Sequence, residues 1–200
     1  MDIRLENLET DCFYHIYNRG INGEKIFEEE ENYLFFMKKV FEYLNEVCDL
    51  YAYCLMPNHF HFVIKIKSNE ELIEFFQRRN NKVNKSGLHS IQNLPSKQLS
   101  KFISCYTQTF NKVYNRHGPL LESPFKRKKL DSEKYLKNVV IYVHQNPIDI
   151  NADFRSYKFS SYYTVLSSLK TNLKRVEVIE YFHDLENFIF CHENRIDFEV

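Results

Sequence analysis

Two short runs in this 200-residue chain bring together residue types that suit chemistry on a phosphate: His59-Phe60-His61, and Tyr142 with Asn146 roughly eighty residues later. In a β-strand successive side chains alternate faces, so His59 and His61 project to one side and Phe60 to the other. Two imidazoles then reach a single cation without help from a loop, and Phe62, Ile64 and Ile66 continue the apolar set on the Phe60 side. That arrangement leaves the histidine face free for solvent or substrate. A histidine pair on a strand also has a plainer reading, two polar groups decorating a wet face, and the spacing does not decide between the two. Tyr142 and Asn146, four residues apart on a helix, share one face and present a phenol and an amide oxygen together. A phenol of ordinary pKa near 10 is a weak nucleophile and needs a cation to draw charge from the electrophile or to hold the phenolate. A hard amide oxygen beside two imidazoles suits Mg2+ or Mn2+. Against this, Tyr135, Val139 and Tyr142 also form an ordinary helical stripe in a chain with 14 tyrosines.

The elements that must position these residues are readable from periodicity. Cys12–Asn18 alternates as a first strand, closed by turn chemistry at Gly20 and Gly23. Tyr33, Phe36, Met37, Val40, Phe41 and Leu44 recur at helical spacing within Glu28–Val47, with glutamates at the start where the helix dipole favours them. Leu50–Met56 and His59–Ile66 read as two β-rich runs, and the Met56-Pro57-Asn58 break between them is short enough for a hairpin or a bent continuous strand. Glu70–Lys85 is expected to be helical, Ser86–Ser96 a loop containing Gly87 and Pro95, and Lys97–Arg116 a helix. Leu120–Leu130, interrupted by Pro124, fits an edge strand, where a proline is tolerated. Asp131-Ser132 offers an N-cap for a helix that carries Tyr142 and must stop near Asn146, because Pro147 disfavours helical geometry in the residue before it. Helices around Ser160–Leu169 and Val176–Phe190 follow. The order strand, helix, two strands, two helices, strand, helix predicts an α+β fold with a small, mainly antiparallel sheet covered by helices.

These residues resemble a known family. Tyr53-Cys54-Leu55-Met56-Pro57-Asn58-His59-Phe60-His61-Phe62-Val63 with Tyr142-Val143-His144-Gln145-Asn146-Pro147-Ile148 is similar to the insertion-sequence-200-like single-tyrosine transposases, more closely to their REP-associated tyrosine transposase branch, within the class named for histidine, hydrophobic residue, histidine (HUH). Tyr14-His15-Ile16-Tyr17-Asn18-Arg19-Gly20, Gly118-Pro119-Leu120-Leu121 with Phe125-Lys126, and Phe159-Ser160-Ser161-Tyr162 add to the resemblance, which covers about residues 12–165. It implies a ferredoxin-like antiparallel sheet packed with helices, a transposase domain over residues 1–170, and a C-terminal helical extension over 171–200. It further implies Tyr142 as the nucleophile that leaves a 5′-phosphotyrosine and a free 3′-hydroxyl, and His59, His61 and Asn146 as ligands of a divalent metal. The family often has glutamine at the last position; Gln145 is one step off the needed face, so Asn146 matches better. Tyr135 is the rival nucleophile, but Val139 stands where it would need a polar residue. His144 falls about 200° around the helix from Tyr142 and is not expected to be a ligand.

Formal net charge is zero, yet residues 75–130 carry 12 Lys and Arg against 1 acid, while residues 1–74 carry 7 against 15. Such a segregated basic segment suits a polyanion. Arg78, Arg79, Lys82, Lys85 and the run Lys126, Arg127, Lys128, Lys129, joined by Arg19, are the expected DNA contacts, the substrate being single-stranded or hairpin DNA held by charge and aromatic stacking. The five scattered cysteines contain no CxxC pair and read as reduced, buried thiols. With neither a leader nor a stretch of about twenty apolar residues, the expected location is the cytoplasm, with no membrane partner. The resemblance admits a homodimer. Two other readings compete with a strand-cleaving enzyme: a domesticated protein that recognises hairpin DNA or RNA without cutting it, and a metal-dependent hydrolase that uses water and forms no adduct.

Overall fold

A computed structural model describes residues 8–80 and 93–194, with the side chains of Arg79 and Asn80 excluded. Four strands and seven α-helices occur among the described residues: β1 (Phe13–Arg19), α1 (Glu30–Leu44), β2 (Cys48–Met56), β3 (His59–Ile66), α2 (Asn69–Asn80), α3 (Leu94–Val113), β4 (Lys126–Leu130), α4 (Glu133–Gln145), α5 (Tyr162–Leu166), α6 (Arg175–Tyr181) and α7 (Leu185–Glu193). The strands form one sheet in the order β2-β3-β1-β4, every neighbouring pair antiparallel. This is the ferredoxin-like arrangement, in which the first and third strands fill the centre.

The sheet's two faces are covered by different helices. Phe60 and Phe62 point toward α1, where Phe36 lies 5.2 and 6.1 Å away between ring centroids and in turn meets Phe102 of α3 at 4.8 Å. On the opposite face α4 crosses β2, β3 and β4. The histidine face is therefore roofed by α4 rather than left open as the sequence suggested, and His61 is 6% exposed. Apolar residues on one side of α4, among them Leu136, Val140 and Val143, are buried there. Alternation along the strand is blind to what lies over it. The outer edge of β2 is closed by later chain, with Leu55 N donating to Phe159 O, Ser161 N to Tyr53 O and Lys174 N to Leu50 O, each at 2.9 Å. Such cover removes a row of unpaired backbone groups.

Three local expectations change. Pro95, expected in a loop, sits in the first turn of α3, where a proline loses no helical hydrogen bond. β4 is confined to Lys126–Leu130; the chain before it meets the end of β1 through the Gly20–Leu121 bridge and the bond from Glu122 N to Arg19 O at 2.9 Å. The single run expected over Val176–Phe190 is two helices, α6 and α7, divided at His183, whose φ is 72°. No helix among the described residues is long and apolar enough to cross a membrane.

Candidate functional site

The histidines are placed by an anchored turn. Pro57 and Asn58 link β2 to β3, and their carbonyls are held by backbone donors: Gly20 N to Asn58 O at 2.8 Å, and Ile26 N and Phe27 N to Pro57 O at 2.8 and 3.1 Å. Gly20 is required here by close packing, since a Cβ at that position would stand 2.0 Å from the carbonyl oxygen of Glu24. His59 follows the turn at once. Its Nδ1 lies 2.7 Å from Asn58 Oδ1. An amide oxygen only accepts, and a second one, Asn146 Oδ1, stands at the longer 3.3 Å from Nε2; the shorter contact favours the proton on Nδ1 and the lone pair on Nε2.

Helix α4 brings the second half. Ser132 Oγ caps it by accepting from Tyr135 N, as expected, and the helix gives way after Gln145 to a 3₁₀ turn over Asn146–Ile150. Asn146 is 3% exposed; its Nδ2 donates to Tyr142 O at 2.8 Å, which turns Oδ1 toward His59 Nε2 at 3.3 Å. Two acceptors therefore face each other, an arrangement that a cation between them would stabilise. The Tyr142 ring, 51% exposed, stands perpendicular to the His61 ring at 5.5 Å between centroids. The four residues singled out from sequence are thus gathered at one point. An open cleft of about 180 Å³ beside them is lined by Tyr142, Gln145, Asn146, Ile148 and Asp149.

Electrostatics keep the imidazoles neutral. Burial lowers His59, and it takes His61 well below its ordinary value, with His15 and His59 adding to the effect. His15 is pushed down to about 4 by burial and then by Lys128. Neutral rings are the form that ligates a metal. Burial and the Asp149 carboxylate raise the Tyr142 phenol, so its proton is held more tightly than in water.

Three contributors escaped the sequence reading. His15 contacts His61 through Nε2···Nδ1 at 2.8 Å, and Asn58 sets the His59 tautomer. The signal for His15 was present in the alternation of β1, which puts His15, Tyr17 and Arg19 on one face, but its pairing with β3 was not. Asp149, near enough to act on both Tyr142 and His59, is a third.

The expected DNA contacts are dispersed. Strand alternation splits the 126–129 run: Lys126 and Lys128 lie on the histidine face, opposite Tyr17 and His15, whereas Arg127 and Lys129 register with residues of the other face. Arg127 is 9% exposed, packed 4.5 Å over the Phe125 ring and donating to Ser96 Oγ. Lys129 pairs with Glu9 at 2.7 Å, Arg78 with Glu46 at 2.6 Å, and Arg19 and Lys126 share Glu122. Lys82, Lys85 and the Arg79 side chain lie outside the described residues. Tyr135 sits under Lys128, 4.8 Å from Nζ to ring centroid. Among the described residues no group of three or more His, Cys, Asp or Glu could hold a metal ion.

No family model and no curated protein matches the chain. Among solved structures the fold is similar to one described as a REP-associated tyrosine transposase bound to a REP hairpin, with 11% sequence identity, a TM-score of 0.57, and coverage of 86% of this chain and 90% of that one.

Proposed function

We propose that this chain is a single-tyrosine transposase of the HUH class that binds hairpin or single-stranded DNA and cleaves it through Tyr142. The observation that carries the reading is the meeting of four side chains distant in sequence: His59 faces Asn146 at 3.3 Å while Tyr142 stands over His61 at 5.5 Å. The hairpin named for the fold neighbour gives the reading its substrate class.

His59 Nε2, His61 Nε2 and Asn146 Oδ1 would hold Mg2+ or Mn2+, which when bound would supply Lewis acidity for the scissile phosphate. Tyr142 Oη gives its proton to solvent and forms the new bond to phosphorus, the bond from phosphorus to the 3′-oxygen breaks, and that oxygen takes a proton from water to leave as a hydroxyl, so that no net proton is gained or lost. The covalent link conserves the phosphodiester energy for rejoining to another 3′-hydroxyl. The raised affinity of the phenol for its proton makes the nearby positive charge necessary. Lys126 and Lys128, on the same face, approach the backbone of the substrate, and Arg19 beside His59 does the same from β1. Arg78, Arg79, Lys82, Lys85 and Lys129 would add contacts to DNA, whereas Arg127, 9% exposed and packed over Phe125, is held within the protein.

Incubating the protein with an end-labelled hairpin carrying single-stranded flanks, in Mg2+ or Mn2+, tests this directly. The expected result is a protein–DNA adduct on a denaturing gel, reduced by on the order of 10³-fold or more in Tyr142→Phe. Nicking without an adduct would support water as nucleophile, and hairpin binding without nicking a non-cleaving protein; either outcome overturns the proposal.

A further inference from the structure

The first strand carries a histidine for which the proposed chemistry has no use as a ligand, yet it makes the closest contact to one. Antiparallel register sets Tyr17 opposite His61 and His15 opposite Val63, so His15 is the diagonal neighbour of His61 on the same face. Their ring planes lie within 20° of parallel, 5.0 Å apart between centroids, with His15 Nε2 and His61 Nδ1 2.8 Å apart. A centroid separation of 5.0 Å with the two nitrogens 2.8 Å apart puts those nitrogens near the line between the ring centres, so the rings meet edge to edge through a hydrogen bond rather than face to face.

Only one proton fits between those nitrogens. When His15 donates it, a neutral His61 must carry its own proton on Nε2, and that atom cannot ligate. When His61 donates it, the lone pair of His61 is on Nε2. His59 offers the precedent within this site, because its shorter contact, Nδ1 to Asn58 Oδ1 at 2.7 Å against Nε2 to Asn146 Oδ1 at 3.3 Å, favours the proton on Nδ1. Metal-ligating histidines generally give their second N–H to such a partner, which fixes both ring orientation and tautomer. Among the described residues His15 is the hydrogen-bond partner of His61. Its other neighbours on this face are the rings of Tyr17 at 4.7 Å and Tyr142 at 6.0 Å, and Lys128 opposite it on β4.

We propose that His15 is a positioning residue that accepts the His61 Nδ1–H through its Nε2, fixing His61 as the tautomer whose lone pair is on Nε2. Its value for catalysis rests on the metal-dependent reading above, but the tautomer is a property of the metal-free protein. The two can therefore fail separately.

Long-range ¹H–¹⁵N imidazole spectra of metal-free protein, assigned by the peaks lost in His61→Gln, are expected to show His61 protonated on Nδ1 and His15 on its own Nδ1. A proton on His61 Nε2 overturns the assignment. The paired variants His15→Gln, whose side-chain oxygen can still accept, and His15→Leu, which cannot, give the second readout. Mn2+ titration followed by electron paramagnetic resonance is expected to show about 10- to 100-fold weaker binding for His15→Leu and substantial recovery for His15→Gln. Equal affinity in all three proteins overturns the proposal. Should wild type bind no Mn2+ while its spectra show the Nδ1–H tautomer, the metal-dependent reading falls and the role of His15 stands; the spectra decide it even where His15→Leu does not fold.

Discussion

The molecule holds two histidine pairs with nearly the same nitrogen–nitrogen distance and opposite surroundings. His15 and His61 meet at 2.8 Å beside a cleft, under the half-exposed ring of Tyr142. His144 and His192 meet at 2.9 Å in the interior, both 0% exposed. In the buried pair every ring nitrogen has a protein partner: His192 Nδ1 donates to Phe188 O at 2.7 Å, His144 Nδ1 donates to His192 Nε2, and the Ser161 hydroxyl donates to His144 Nε2 at 2.7 Å. Ser161 Oγ in turn accepts from Tyr53 N at 2.8 Å. A chain of hydrogen bonds thus ties α7 to α4 and α4 to β2, two residues along the helix from Tyr142. The contrast teaches that a histidine pair is structural when the protein satisfies all four nitrogens, and available for chemistry when it leaves one turned outward.

Truncating the sealed pair should have the largest effect on stability. His144→Ala removes a packed ring and strands both the Ser161 hydroxyl and His192 Nε2, so urea unfolding should show a loss of about 3–5 kcal/mol. A loss below about 1 kcal/mol would mean that the two pairs do not differ as described. Acid should act in the same direction. Burial holds His192 down to about 4. In the unfolded chain its imidazole titrates near 6.5, so between these values the unfolded state binds more protons and stability falls as pH drops. The whole contribution is present above about pH 6.5 and is lost by about pH 4, on the order of 3 kcal/mol for this one residue. His15, lowered to a similar value, adds a loss of the same sign. Urea midpoints measured from pH 7 to pH 4.5 should decline, and less steeply in His192→Leu; a flat profile would contradict the burial argument. The smallest effect belongs to the open side. Tyr142→Phe removes one hydroxyl from a ring 51% exposed, and its unfolding free energy should stay within about 0.5 kcal/mol of wild type, while adduct formation is lost.

Much of the local organisation was legible because it depends on neighbours in sequence. The His59–Ile66 strand, the Ser132 cap, the break at Pro147 and the shared face of Tyr142 and Asn146 all follow from alternation, helical spacing and proline geometry. The split of the 126–129 run follows from the same alternation, once the segment is taken as a strand rather than as a patch of charge. Ion pairing was out of reach, since Lys129 meets Glu9 and Arg78 meets Glu46 across large separations in the chain.

By itself the sequence determined which side chains share a face and the α+β order of the elements, because steric alternation and helical pitch act within a few residues. Tertiary structure decided that α4 roofs the histidine face, that Asn146 turns its oxygen to His59, and that His15 stands behind His61 while His144 is sealed against His192. These depend on strand order and on one helix crossing the sheet, set by the packing of surfaces whose residues lie tens of positions apart.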